Sequence, residues 1–169
     1  MAGQLIQVAT ETVTSAVASV TLTGIDSDDV YMVAISNVQP VTNASTLRMR
    51  FTVSGTADTS ANYDRATKEL RADTTFNNSY QVNQDGFNFI ANGTSTSNTH
   101  NSIMYLYNFN NSSEYSFATF EESSFLYQTT VRGRTGGGVL TETQATDGVN
   151  YFYSSGNIAS GTFTLYKVV

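Results

Sequence analysis

Apolar and polar residues alternate along much of this chain, with the period of two that a half-buried β-strand requires. The clearest case is the segment Leu47–Val53, in which every second residue from Leu47 is apolar and the residues between them are Arg or Thr. A shift of one residue would expose the whole apolar face, so this pattern also fixes the register of the strand. No long segment has apolar residues at helical spacing, and the pattern therefore predicts an all-β protein.

The segment Val30–Val38 is almost continuously apolar, which is typical of a central strand that is covered on both faces. Pro40 follows directly, and proline cannot donate a hydrogen bond to a sheet, so we expect the strand to end there. Further strands are predicted at Ser102–Phe109, Tyr115–Phe120, Phe125–Arg132, Val149–Tyr153 and Thr162–Val168.

Three dipeptides predict tight hairpin turns: Asp85-Gly86, Asn92-Gly93 and Asp147-Gly148. Such pairs favour hairpins because both central positions of the turn need a positive φ. One segment, Asn62–Leu70, has helical spacing of its apolar residues and predicts a short helix.

Together these signals predict a jelly roll or β-sandwich of antiparallel strands with at most one short helix. We predict an apolar N-terminal arm over residues 1–12 and a single β-sandwich domain over residues 13–169. One domain is the natural reading of 169 residues, and nothing in the composition indicates a linker.

The composition indicates a binding or structural role. Thr, Ser and Asn account for 59 of the 169 residues, whereas there is no Cys and one His. A net charge of −6 with eight Lys and Arg argues against nucleic-acid binding, which needs clustered cations. We therefore expect no enzymatic activity and no cofactor, and we expect a soluble protein made in the cytoplasm without a signal peptide or membrane span.

Two acidic clusters are candidates for a metal site or a catalytic pair. Asp26, Asp28 and Asp29 could supply oxygen ligands to Ca²⁺, but the spacing does not match an EF-hand loop and an ordinary turn is the simpler interpretation. Glu121 and Glu122 are adjacent, so in a strand they point to opposite faces, and we expect solvated residues rather than a catalytic pair. No metal site is predicted.

The glycine-rich run Gly133–Gly138 lacks the Gly-Lys-Ser/Thr that a phosphate-binding loop needs, and we expect a flexible connection between strands. His100, the single histidine, is expected in a polar loop. Arg48 with Arg50, or Arg132 with Arg134, could form a small basic face or an ion pair between subunits.

The aromatic segment Ile103–Phe109 could present tyrosine rings to a sugar, although tyrosine is equally common in a sheet or at a subunit contact. Core or interface is the interpretation that we favour for this segment.

Three segments resemble virion structural proteins of tailed bacteriophages. They are Val30–Val38, Leu47–Phe51 and the closing Gly156–Tyr166. In that group, similar runs occur in jelly-roll, concanavalin-like modules on capsids and tails, and the likeness extends over most of the chain in order. The closing strand here continues with Lys167, where similar chains often have Gly.

The resemblance, with the short length, implies a head decoration (cement) protein that binds and stabilises the outer capsid surface. Its partners would be the major capsid protein and copies of itself, with the homotrimer as the commonest form, and it would bind neither nucleic acid nor membrane. The N-terminal arm, with Leu5, Ile6 and Val8, is the candidate intersubunit contact.

The alternative is a carbohydrate-binding adhesin domain on a tail or fibre. In this case the aromatic residues Tyr80, Phe87 and Tyr107 would contact glycans of the host. The same three aromatics are candidates for an interface.

Overall fold

The computed structural model describes residues 3–126 and 130–169, which form thirteen strands and no helix. The strands are β1 (Leu5–Val13), β2 (Ser19–Thr23), β3 (Tyr31–Pro40), β4 (Ser45–Val53), β5 (Thr56–Ala57), β6 (Tyr63–Arg71), β7 (Asn77–Gln84), β8 (Phe87–Asn92), β9 (His100–Tyr107), β10 (Tyr115–Phe125), β11 (Val131–Thr143), β12 (Gly148–Tyr153) and β13 (Ile158–Val168). The predicted all-β class is confirmed.

The strands form two antiparallel sheets. The larger has eight strands in the order β1-β13-β3-β9-β10-β11-β6-β7. The smaller has five strands, with the order β2-β12-β4-β5 and with β8 also paired to β4. One hydrophobic core is built from the inward faces of both sheets, which is the layer arrangement of a β-sandwich.

The alternation in β4 places its side chains as the sequence predicts. Leu47, Met49 and Phe51 are fully buried in the core, and the two arginines between them are partly exposed on the other face. Burying each of these apolar side chains contributes roughly 1.5–3 kcal/mol. Phe51 also packs edge-on against the rings of Tyr63 and Phe87, so β4 joins the two layers.

Strand β3 lies inside the large sheet, between β13 and β9. This position confirms the prediction of a central strand from its continuous apolar run. Pro40 is the last residue of the strand, which agrees with its inability to donate a hydrogen bond.

None of the three Asp-Gly or Asn-Gly dipeptides closes a hairpin. The strands on either side of each dipeptide pair with other strands instead of with each other: β7 with β6, β8 with β4, and β12 with β2 and β4. At Asp85-Gly86 the chain leaves the large sheet and enters the small one. The hairpin predictions were wrong because a dipeptide specifies the local φ angles and not the partner of the next strand.

The predicted helix over Asn62–Leu70 is strand β6. Its residues alternate between buried and exposed, with Tyr63, Arg65, Thr67 and Glu69 facing inward. Because three of these four inward residues are polar or partly polar, the alternation was hidden in the sequence. Pairing with β11 and β7 on both sides overrides the helical propensity of this segment.

The N-terminal segment, predicted as an arm, forms strand β1 at an edge of the large sheet, paired with β13. A bulge lies between Gln7 and Ala9. The predicted strand Phe125–Arg132 is not continuous, since β10 ends at Phe125 and β11 begins at Val131; residues 127–129 lie outside the described residues. Among the described residues, no helix has the length and apolar character to cross a membrane.

Candidate functional site: the open face of the large sheet

The outward side of the eight-stranded sheet carries an unusual number of exposed apolar side chains. We call the part across β9, β10, β11, β6 and β7 the open face. Its exposed large apolar residues are Leu70, Tyr80, Val82, Ile103, Tyr105, Tyr115, Phe117 and Val131. Single exposed apolar residues are ordinary, whereas a group of them on one surface marks a site of interaction.

Strand β9 shows how the sequence builds this face. Met104 and Leu106 are fully buried, while Ile103 and Tyr105 alternate with them and lie on the open face, 50% and 40% exposed. The core interpretation of the aromatic segment is thus confirmed for Met104 and Leu106, and the opposite face of the same strand exposes Ile103 and Tyr105.

Strand β11 forms the floor of the open face because the outward residues in its middle are small. Gly133, Thr135 and Gly137 share this side, paired with exposed residues of β10 and β6. Two shallow grooves cross this floor. One, of about 740 Å³, passes Gly133 and Thr135, and the other, of about 500 Å³, passes Gly137. The run Gly133–Gly138 is thus part of a long strand, and the prediction of a flexible connection was wrong.

Tight packing explains why inward positions of β11 are occupied by glycine. A Cβ at Gly138 would overlap the ring of Phe87 and would lie 2.8 Å from the carbonyl oxygen of Asp64. Only a residue without a side chain leaves room for this ring in the core.

Two of the three predicted ligand aromatics lie on the open face. Tyr80 is 77% exposed, and Tyr107 pairs with Phe117 across β9 and β10, with its hydroxyl 3.3 Å from that of Thr119. Phe87 is 0% exposed, in contact with the rings of Phe51 and Tyr63. The prediction for Phe87 was wrong because the residue faces the core, where no external ligand reaches it.

The three candidate residues of the N-terminal segment lie on β1. Leu5 and Ile6 are 51% and 50% exposed, whereas Val8 packs partly against the core. The far side of β1 pairs with no other strand of the described chain. Its backbone donors and acceptors along that edge are available to another chain.

A buried charged cluster lies between the two sheets, and sequence reasoning missed it. Glu122 on β10 accepts a hydrogen bond from the backbone N–H of Ile90, at 2.7 Å. Its other oxygen lies 3.3 Å from Nη1 of Arg134 on β11, and Nη1 of Arg134 also donates to the carbonyl oxygen of Asn88. Because Ile90 and Asn88 belong to β8, Glu122 and Arg134 connect the large sheet to the small one.

His100 is also buried, and the prediction of a loop histidine was wrong. It is the first residue of β9 and is 0% exposed, with Nδ1 3.6 Å from Oε2 of Glu122 and its ring beside Phe89. Neither ring nitrogen has a hydrogen-bond partner among the described residues. The expectation that Glu122 is solvated was also wrong, because the side chains of Glu122 and His100 both face the core.

Burial moves the pKa values of this pair in opposite directions. It raises the pKa of Glu122 to about 7, against the opposing effect of Arg134. It lowers the pKa of His100 to about 3, and the charge of Arg134 adds to this decrease. Burial disfavours whichever form is charged, so the imidazole is neutral at pH 7 and its contact with Glu122 is not an ion pair.

The alternation of β10 was the signal that could have revealed the cluster. Ser116, Ala118, Phe120, Glu122 and Ser124 share one face, and all five are buried. Placing Glu122 on the side of Phe120 would have predicted its burial.

The arginine pairs make ion pairs within this chain. Arg132 and Arg134 both contact Glu69, at 3.2 Å and 3.0 Å. Arg48 and Arg50 both bind the carboxylate of Asp85, and Arg50 also donates to the Asp85 carbonyl oxygen at 2.6 Å. Arg132 and Arg134 thus connect β11 to β6, and Arg48 and Arg50 connect β4 to the crossing at Asp85-Gly86. Because these side chains are paired within the chain, they do not form a basic face.

The acidic loop before β3 is held by internal contacts. The hydroxyl of Tyr31 donates to Asp26 at 2.9 Å, and Lys167 lies 2.7 Å from Asp29, which lowers the pKa of Asp29. Within residues 3–126 and 130–169, no group of three or more acidic, His or Cys side chains is arranged to hold a metal ion.

Comparison of the chain with protein families, with curated proteins and with solved structures found no match. The β-sandwich and the geometry of its surfaces are therefore the basis for the functional argument.

Proposed function

We propose that this chain is a virion structural protein, and specifically a head decoration protein that binds and stabilises the outer surface of a capsid. Its role would be non-catalytic, and its partners would be the major capsid protein and copies of itself. The proposal rests on the likeness of three segments to phage virion proteins and on one structural observation, the free edge of β1.

Edge strands in proteins that remain alone are usually protected by Lys, Pro or inward-pointing charge. The segment Leu5–Val13 contains neither Lys nor Pro, and its one charged residue is Glu11. Its one protective feature is the bulge between Gln7 and Ala9, beyond Leu5 and Ile6. Leu5 and Ile6 are half exposed beside the unpaired edge. A neighbouring subunit could add a strand there through main-chain hydrogen bonds and cover the two apolar side chains.

Quantitative mass spectrometry of purified virions tests the assignment. We expect hundreds of copies per particle, as a capsid surface lattice requires. A copy number near that of a tail ring would contradict the decoration role, and absence from the particle would contradict any virion role.

A pair of variants tests the contact through β1. Ile6→Lys places a charge beside the free edge and should lower the number of copies bound to capsids that lack the native protein. Val41→Lys changes a residue of similar exposure, 52% against 50% for Ile6, in the loop after β3, and should bind normally. Equal binding of the two variants would argue against β1 as the attachment edge.

The second candidate is a carbohydrate-binding adhesin, and the positions of Tyr80 and Tyr107 on the open face favour it. Tyrosine rings can stack on the apolar faces of sugars while their hydroxyls form hydrogen bonds. A glycan array with the isolated protein separates the candidates, since a pure decoration protein should show no saturable binding. Tyr80→Ala should abolish any binding that does occur through this face.

A further inference from the structure

On the open face, Glu121 and Lys68 carry opposite charges and have no ion-pair partner in the described chain. Glu121 lies on β10 and Lys68 on β6, in one row across the sheet with Thr135 of β11 between them. Both are exposed, and neither belongs to an ion pair formed by residues 3–126 and 130–169. Two strand spacings separate them by about 9.5 Å, too far for direct contact.

This arrangement is self-complementary. Consider a second copy whose open face packs against that of the first, and which is related to it by a 180° rotation about an axis parallel to β11. In this arrangement, strand β10 of each copy lies opposite strand β6 of the other. Glu121 of the first copy then faces Lys68 of the second, and Lys68 of the first copy faces Glu121 of the second. A two-fold contact forms every such pair twice.

The next row agrees with the same axis. Tyr105 on β9 and Tyr80 on β7 lie at equal distances from β11, in the row through Gly137. The rotation exchanges β9 with β7, which brings Tyr105 of one copy opposite Tyr80 of the other. Both rings are exposed, and paired aromatic rings add to the stability of a contact beyond the area that they bury.

Strand β11, which would lie along the axis, is shaped for close approach. Its outward residues Gly133, Thr135 and Gly137 would face their own counterparts, and none of them projects far from the sheet. Sheets that pack face to face are about 10 Å apart, and small residues on the axis let the larger side chains beside it interdigitate.

We propose that the open face is a contact between two copies of this chain, related by a two-fold axis parallel to β11. Two Glu121–Lys68 pairs flank the axis and set the orientation of this contact, and the larger apolar residues of the face surround them. The inference is independent of the virion role, since it concerns how the protein associates with itself. A pair of this kind contains two copies, whereas the resemblance to phage proteins implies three.

Charge reversal tests the pairing. By sedimentation equilibrium, the wild-type protein should be in a reversible equilibrium between monomer and dimer. Glu121→Lys and Lys68→Glu each turn two attractive pairs into two repulsive ones, and each should weaken the dimer by about tenfold or more. The double variant restores opposite charges and should return the dissociation constant to within about threefold of the wild type.

Two further variants make the result specific. Glu114→Lys reverses an exposed charge outside the open face, in the loop before β10, and should leave the dimer unchanged. Tyr80→Ala removes an exposed ring without changing charge and should weaken the dimer. Near-ultraviolet circular dichroism of each variant shows whether the fold is retained.

Three results would overturn the proposal: a monomer at every concentration, a dimer that survives both single reversals, or a mass of three chains that is insensitive to them. The last would support the trimer. A monomer that binds a glycan through Tyr80 would assign the open face to the adhesin role.

Discussion

Glycine at position 138 shows how a single residue decides the packing between the sheets. The space that a side chain would fill is occupied by the ring of Phe87, which also contacts Phe51 and Tyr63. The aromatic cluster on the inward side of β4, β6 and β8 therefore depends on a residue of β11 that has no side chain.

Substituting Gly138→Ala should destabilise the protein by about 1–3 kcal/mol, because the added methyl group must displace the Phe87 ring or the backbone. Urea unfolding measures this change. Gly133→Ala is the matched control on the same strand, where the nearest atom would be 3.4 Å away, and it should change stability by less than about 0.5 kcal/mol. Similar effects at both positions would contradict the packing role of Gly138.

The buried Glu122–His100 pair should make two variants respond to pH in opposite directions. Between pH 4.5 and 6.5, the folded pair holds one proton, on Glu122, and the unfolded pair also holds one, on His100. The contributions of the two groups therefore cancel in the wild type across this window. Removing either group should expose the effect of the other.

For His100, the folded pKa is depressed, so its contribution is complete above the ordinary value of 6.5 and is lost as the pH falls toward 3. The His100→Phe variant has no such group to protonate, so its free energy of unfolding relative to the wild type should increase as the pH falls from 6.5 to 4.5. The slope is at most about 1.4 kcal/mol per pH unit.

For Glu122, the folded pKa is raised, so its contribution is complete below the ordinary value of 4.5 and is lost as the pH rises through about 7. Glu122→Gln should therefore gain stability relative to the wild type as the pH rises across the same window. Urea unfolding from pH 4.5 to 7 measures both slopes. Slopes of the same sign, or none, would contradict the opposite shifts of the two pKa values.

At the scale of the strands, the crossing between β7 and β8 is the least obvious connection in the fold. The chain leaves the edge of the large sheet, turns at Asp85-Gly86 and enters the small sheet beside β4. The carboxylate of Asp85 receives Arg48 and Arg50 from β4, and this pairing fixes where the second strand begins. Arg48 and Arg50 also lie over the ring of Phe152 on β12.

Asp85→Ala should destabilise the fold by about 1 kcal/mol, a modest value because the carboxylate is partly exposed and screened. The two arginines hold the pKa of Asp85 below its usual range, Arg48 more strongly. The contribution of Asp85 is thus present above about pH 4 and lost on further acidification. Asp73→Ala is the control, since Asp73 pairs with Arg71, two residues away, and its contact with a distant segment is a single long hydrogen bond from Thr130, at 3.4 Å. If the two variants were equally stable, Asp85 would have no role in the crossing.

At the scale of the molecule, the net negative charge is concentrated at one end of the sandwich. Seven carboxylates lie in the loops and strand ends there: Asp26, Asp28, Asp29, Asp58, Glu114, Glu142 and Asp147. Hydrogen bonds connect these loops, such as Asn111 to Asp28 and Asn110 to Thr146. Lys167 is the one cation that forms an ion pair with these carboxylates among the described residues, 2.7 Å from Asp29.

Lys167→Met should lower the thermal midpoint more at low than at high ionic strength, because salt screens the repulsion among the remaining carboxylates. Thermal unfolding at two salt concentrations measures the difference. Lys68→Met removes a cation from the open face, away from the acidic end, and should not increase the dependence on salt. Equal salt dependence of the two variants would contradict the proposed charge distribution.

The sequence by itself determined the class of the fold and the inward residues of its regular strands. In β4, and in β9 from Met104 onward, apolar residues at every second position have one favourable orientation, because reversing it would expose all of them. The run in β3 likewise determined a central strand. These features are local, and a pattern of period two is sufficient to specify them.

Only the tertiary structure decided which strands pair and which polar residues are buried. The dipeptide Asp85-Gly86 permits a turn, but the choice between a hairpin and a crossing depends on Arg48 and Arg50, more than thirty residues away. Strand β6 carries polar residues on its buried side, where the pattern of hydrophobicity gives no signal, and on β10 only the neighbouring apolar residues of the same face indicate that Glu122 is buried. The open face likewise exists only after five strands align in one sheet, since none of its residues is unusual alone.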